Sequence, residues 1–164
     1  MKAFITTIFF LFQVFALSSQ VDYGTPKGNQ IPTKLSKLPR LILVNNFPNE
    51  IDAVKIKDRY YWKHTTSILC KFDNVEIIEF GAFLFYNNQW NLRQTYNLKE
   101  LDKKFDTKKQ QLKLGQPYTW RNNWRTDSKL FGGWAMWYFI GVTSSGEKIC
   151  GYQKINTTNN LLNQ

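Results

Sequence analysis

The spacing of apolar residues changes several times along the chain, and the changes divide it. Ala3 to Leu17 is an almost unbroken apolar run behind Met1-Lys2, followed by Ala16-Leu17-Ser18 with small residues at the cleavage positions. This pattern predicts a cleaved export signal over residues 1–18. The run is about fifteen residues where a bilayer span needs roughly twenty, and Gln13 interrupts it. Residues 19–39 carry Pro26, Pro32 and Pro39 with Gly24, Gly28 and scattered lysines, which reads as an extended leader that buries little.

From Arg40 the periodicity is that of strands. Leu41-Ile42-Leu43-Val44 is a short apolar run stopped by Asn45-Asn46 and Pro48. Ala53 to Lys57 alternates apolar and charged residues, Asp58-Arg59 can turn, and Tyr60 to Phe72 is rich in aromatic and β-branched residues. After the turn signal Asp73-Asn74, Val75 to Tyr86 again favours strand, with Gly81 as a bulge or close approach. Asn87-Asn88 then separates Phe83 to Tyr86 from Trp90 to Arg93, a spacing that suits a tight hairpin because Asn tolerates positive φ.

The period becomes helical at Asn97. Leu98, Leu101 and Phe105 share a face, Asn97 can cap with Glu100, Leu112 and Leu114 extend the pattern, and Gly115 with Pro117 stops it. The opposite face carries Lys99, Lys103, Lys104, Lys108, Lys109 and Lys113. Trp134 to Val142 is apolar without alternation, so both of its faces need cover and it reads as a central strand. Ser144-Ser145-Gly146 turns the chain into a partner strand over Glu147 to Tyr152, and residues 156–164 form a polar tail. The order of elements predicts an α+β fold: a mainly antiparallel β sandwich or half-barrel with one amphipathic helical insertion at about residues 98–114. Residues 40–155 form a single globular domain, since no repeat or composition break divides them.

Charge and cysteines add a setting. The formal net charge is +10 at pH 7, and removing residues 1–18 takes away only Lys2. For a secreted or periplasmic chain this favours anionic polysaccharides and envelope polymers as partners, with peripheral contact to lipid head groups and nucleic acid behind them. Cys70 and Cys150 are the only cysteines, and an even count in an oxidising compartment predicts one disulfide. Closing that loop would constrain the unfolded chain by about 4 to 5 kcal/mol.

Motifs for phosphate loops, dinucleotide binding, zinc proteases and serine hydrolases are absent from the sequence. No metal or cofactor site is expected, because His64 is the only histidine and its place in a strand suits a structural role. Glu76 and Glu79 lie three apart and face opposite ways on a regular strand, which opposes a glycosidase pair unless the strand is bulged; Asp127 has no evident partner.

The most distinctive pattern is Trp120-Arg121 repeated as Trp124-Arg125. Positions four apart share a face on a strand or a helix, so the tryptophans would lie side by side and the arginines likewise. Aromatic faces stack on sugar rings, and arginine forks hold carboxylate or sulfate. Tyr118, Trp120, Arg121, Trp124 and Arg125 are therefore the candidate surface, with Lys103, Lys104, Lys108 and Lys109 as electrostatic support. The function expected is an exported, non-enzymatic binding module for an anionic glycan or similar polymer. The alternative is an exported structural or accessory protein whose aromatic cluster is core, and a hydrolase with an unidentified carboxylate site stands third.

Overall fold

The computed structural model describes residues 21–162, and the expected export signal over residues 1–18 lies outside the described residues. A one-turn helix α1 (Thr33–Ser36) precedes β1 (Ile42–Phe47), β2 (Glu50–Ile56), β3 (Arg59–Cys70), β4 (Val75–Tyr86) and β5 (Gln89–Thr95). Helix α2 (Leu98–Phe105) and the short β6 (Gln111–Leu112) follow, and β7 (Tyr118–Asp127), β8 (Gly133–Thr143) and β9 (Lys148–Leu161) complete the chain. The strands form one open sheet in the order β1-β3-β2-β9-β8-β4-β5, with β6 added beside β4 and β7 beside β3. The sheet is mixed and mostly antiparallel; the pairing of β2 with β9 is the parallel one.

The unbroken apolar run in β8 does what its composition requires. Its side chains alternate between two cores: Trp137 and Phe139 join one, with Ile42, Ile68, Phe80, Leu101, Phe105 and Trp120, whereas Met136, Tyr138 and Ile140 join the other, with Leu35 and Cys150. Ala135 enters a third cluster with Ile51, Trp62 and Ile155. Asn87 and Asn88 both take positive φ, at 51° and 58°, and make the two-residue connection between β4 and β5. The Asn97–Glu100 capping box forms at the start of α2, and Leu101 and Phe105 are its buried residues.

Several expectations are corrected. Residues 21–39 are not an idle leader: Pro26 and Pro32 are buried, Leu35 of α1 is 1% exposed, and Ile31 and Leu38 pack against the second core. The leader supplies the cover that the outer face of β8 needs. The helix ends at Phe105, because Asp106 adopts a left-handed conformation and Leu112 pairs back onto Val75 as strand. The polar tail is strand as far as Leu161, with Asn156 and Thr157 laddered to Trp134 and Gly133.

Cys70 and Cys150 are both buried free thiols, which overturns the expected disulfide. Cys70 on β3 faces the first core beside Ile42, whereas Cys150 on β9 faces the second core under Leu35 and Leu38. The start of β1 runs between them, with Ile42 opposite Cys70 and Arg40 bridged to Cys150. Two thiols on opposite faces of a sheet, with a strand between, cannot bond.

Candidate functional site

A β-bulge in β7 decides where the Trp-Arg repeat points. Trp120 stands opposite Thr66 and Asn123 opposite His64, so Arg121 and Asn122 share the single partner position Thr65. The extra residue reverses the alternation between the two halves of the repeat. Trp120 turns into the first core at 9% exposure while Trp124 lies 47% exposed; Arg121 is exposed and Arg125 is drawn inward. The shared-face arrangement expected for the repeat is therefore not formed, because two tryptophans four apart share a face only on an unbulged strand.

Tyr118 and Trp120 are core residues. Tyr118 is 7% exposed with its hydroxyl accepting from Lys113 N at 3.2 Å, and Trp120 meets Trp137 edge-on at 5.3 Å and Phe105 at 5.9 Å. Lys104 lies over the Trp120 ring at 4.2 Å. Its ammonium and stem thus cover the aromatic cluster. Lys103, Lys108 and Lys109 are exposed at the α2 end of the molecule.

Arg125 sits elsewhere, in a cleft between β5 and β7. Its guanidinium lies 4.3 Å from the Phe131 ring and 5.6 Å from the Trp62 ring, and Nη1 donates to Thr157 Oγ1 at 2.6 Å. Burial pushes its pKa down to about 10, with Tyr23 and Asp127 pulling upward, so it remains a cation at neutral pH. The cleft holds a cavity of about 270 Å³ to which His64, Arg93, Tyr96, Arg125, Asp127 and Trp137 contribute, with Trp124 at the rim. Through Leu84, Arg93 and Asp127 it continues into a second cavity of about 340 Å³, bounded by Tyr23 and Phe131. Tyr23 belongs to the leader and stacks on Phe131 at 4.8 Å. The leader therefore closes one end of the cleft.

Among the described residues the one ion pair joins Lys34 to Glu79, on the outer face. Arg93 and Arg125 line the cleft with Asp127, and neither arginine forms an ion pair among the described residues. The one buried side-chain polar atom lacking a partner among the described residues is Asn123 Oδ1. The Arg125 nitrogens not engaged by Thr157 are accordingly open to the cavity.

His64 lines the floor and is spoken for at both nitrogens. Its Nε2 accepts from Trp137 Nε1 at 2.8 Å, and its Nδ1 lies 3.2 Å from Trp62 O, the distance of an N–H donating to a carbonyl. Burial pushes its pKa down to about 4, with the Trp62 bond opposing, so the imidazole is neutral and fixed in one tautomer. Beside it runs a buried polar row across β1, β3 and β7: Asn123 Nδ2 donates to Thr66 Oγ1, which donates to Asn46 Oδ1, each at 2.8 Å. Asp127 is the carboxylate of the cleft. Glu76 and Glu79 do share a face, because a bulge at Ile78 shifts the register, but that face is the outer one; Glu79 accepts from Tyr138 Oη and Lys34 there.

Arg93, Tyr96 and Trp137 line the cleft without having been signalled by the sequence pattern. Arg93 occurs in the strand run Trp90 to Arg93 as one more exposed-looking cation, and only the approach of β5 to β7 brings it to the cleft. Comparisons with protein-family models and with curated proteins yield no match. Among solved structures, the X-ray structure of Northeast Structural Genomics Consortium target SoR45 aligns over 77% of this chain and 94% of its own, at 12% identity and a TM-score of 0.46. A likeness of that degree carries no argument about fold or function.

Proposed function

We propose that the protein is an exported, non-enzymatic binding module, secreted or periplasmic, whose half-barrel of strands holds an acidic ligand in the cleft between β5 and β7. The observation that carries this reading is Arg125: a charged guanidinium drawn among Trp62, Phe131 and Thr157, with donors open to the cavity and no ion pair among the described residues. Asp127 favours the cation from across the cleft but makes no ion pair with it among the described residues, so part of the cost of drawing the guanidinium inward is left unmet. A carboxylate or sulfate between Arg125 and Arg93 offsets that cost and forms charge-assisted bonds. The aromatic walls at Tyr96 and Trp137 and the rim at Trp124 suit a flat ring beside the acid group. The volume of about 270 Å³ lies just below the usual range for ligand pockets, so the occupant is a small sugar acid or the terminal unit of an acidic glycan.

Catalysis is not supported by the same cleft. His64 has both nitrogens engaged and is neutral, and among the described residues Asp127 meets no second carboxylate across the cavity. The burial of Tyr118 and Trp120 favours the alternative, a structural or accessory protein, for that part of the aromatic cluster. Titration of tryptophan emission with glucuronate and short oligogalacturonates, against their neutral counterparts, separates the two. Binding predicts a saturable change with the acids, weakened by salt and missing with the neutral sugars. A folded protein unresponsive to every acid would remove the binding reading and leave the structural one.

A further inference from the structure

The cleft is longer than the cavity that holds Arg125. The second cavity, about 340 Å³, opens from the first where Leu84, Arg93 and Asp127 line both, and its volume alone lies within the usual range for ligand pockets. Tyr23 and Tyr86 give it two aromatic rings with centroids 6.4 Å apart, and Leu92 adds apolar surface from β5. Tyr23 is 40% and Leu92 52% exposed, so both have area to offer an occupant. Asp127 supplies a polar group. Its hydrogen bonds among the described residues, from Ser128 Oγ at 3.4 Å and Lys129 N at 3.1 Å, both fall on Oδ1 and leave Oδ2 to accept. A carboxylate beside aromatic rings suits a sugar: hydroxyls donate to the oxygen, and the apolar face of the sugar lies on the rings.

The two cavities differ in charge. The first is lined by Arg93 and Arg125 against the single carboxylate of Asp127, with His64 neutral, so one cation is left over. In the second, Arg93 and Asp127 balance. Asp22, which adjoins Tyr23 and is tied to Asn87 through its backbone, adds a further negative charge at that end. The second cavity therefore has no cation to spare for another acid. We propose that it is a subsite for a neutral sugar unit, so that the ligand of the cleft is an acidic sugar at Arg125 joined to an uncharged sugar at Tyr23. This deepens the reading of Arg125 as an acid-binding group and rests on it. An alkyl chain in the second cavity would cover Asp127 and Arg93 without satisfying them. A second uronate would bring its carboxylate toward Asp127 and Asp22, with Arg93 already shared between the cavities.

The test is a calorimetric titration of the full chain with glucuronate, with cellobiouronate, in which glucuronate is linked to glucose, and with diglucuronate, its doubly acidic counterpart of the same linkage. The subsite predicts that cellobiouronate binds about tenfold tighter than glucuronate, for the apolar area that a second ring covers, and tighter than diglucuronate. Tyr23→Ala should bring the ratio of cellobiouronate to glucuronate affinity toward one. Leu92→Lys places a cation beside the second cavity at an exposed strand position and should turn the preference toward diglucuronate. Each variant is read as a ratio within one protein, so a smaller folded fraction does not imitate the effect. Cellobiouronate bound no tighter than glucuronate, diglucuronate bound equally well or better by the native chain, or ratios unmoved in the two variants would each overturn the subsite while leaving the acid site at Arg125 standing. Silence toward all three acids would remove the acid site and the subsite together.

Discussion

His64 is the group through which acid reaches the fold. Its folded pKa is pushed down to about 4 from 6.5, so between those values the unfolded chain binds a proton that the folded chain refuses. Stability is therefore full above pH 6.5 and falls as pH drops toward 4, by about 3 kcal/mol over the window. Urea unfolding at a series of pH values should show the midpoint falling through this range, and His64→Phe should flatten the fall. An unchanged slope in the variant would mean that other groups carry it. Asp73, held below the usual carboxylate range by the Ser144 hydroxyl and backbone, acts below this window and does not mask it. The structural role of His64 was legible in the sequence from its solitude and its place in a strand. Its partnership with Trp137 was not, since that bond joins β3 to β8 across 73 positions.

At the scale of elements, close approaches and cover decide the fold. Gly151 on β9 faces β1, where an added Cβ would stand 2.3 Å from Ile42 O and 2.6 Å from Ile42 Cβ. Gly151→Ala must push the strands apart and should cost about 3 kcal/mol in chemical unfolding; a stability equal to the native chain would show that β1 yields freely. Leu35→Ala tests the leader. Buried at 1% exposure against Met136 and Tyr138, it should cost about 2 to 4 kcal/mol. An idle leader would register nothing. Strand periodicity, the Asn-Asn hairpin, the Asn97 cap and the two-sided burial of β8 were all readable locally, because each depends on residues near in sequence. The leader was misread because prolines and lysines dominate its composition, while the few apolar residues that dock, Ile31, Leu35 and Leu38, are spaced too thinly to show a pattern. The bulge in β7 was hidden for a different reason. Nothing in Arg121-Asn122 forces it, and the register that requires it is set by β3.

For the whole molecule, the thiols and the cleft give the sharpest consequences. Cys70 and Cys150 face opposite cores, so denaturation without reductant should expose two alkylatable thiols, read as the corresponding mass gain. A chain that resists alkylation until reduced would contradict the packing of β1 between them. The candidate site was legible only in half. Arg125 and Trp124 were singled out by their repeat, but Tyr118 and Trp120 belong to the core, and Arg93, Tyr96 and Trp137 join the cleft only because the sheet brings β5 toward β7. The central claim is that an acidic ligand binds there through Arg125. Its most direct test is a calorimetric titration of the native chain and of Arg125→Met with the acid that gives the largest fluorescence response. Met keeps the apolar contacts to Trp62 and Phe131 while removing the charge. The account expects affinity to fall by about tenfold to a hundredfold, in line with loss of a charge-assisted bond, with the variant folded and its melting temperature kept or raised. Equal affinity in the two proteins would contradict it.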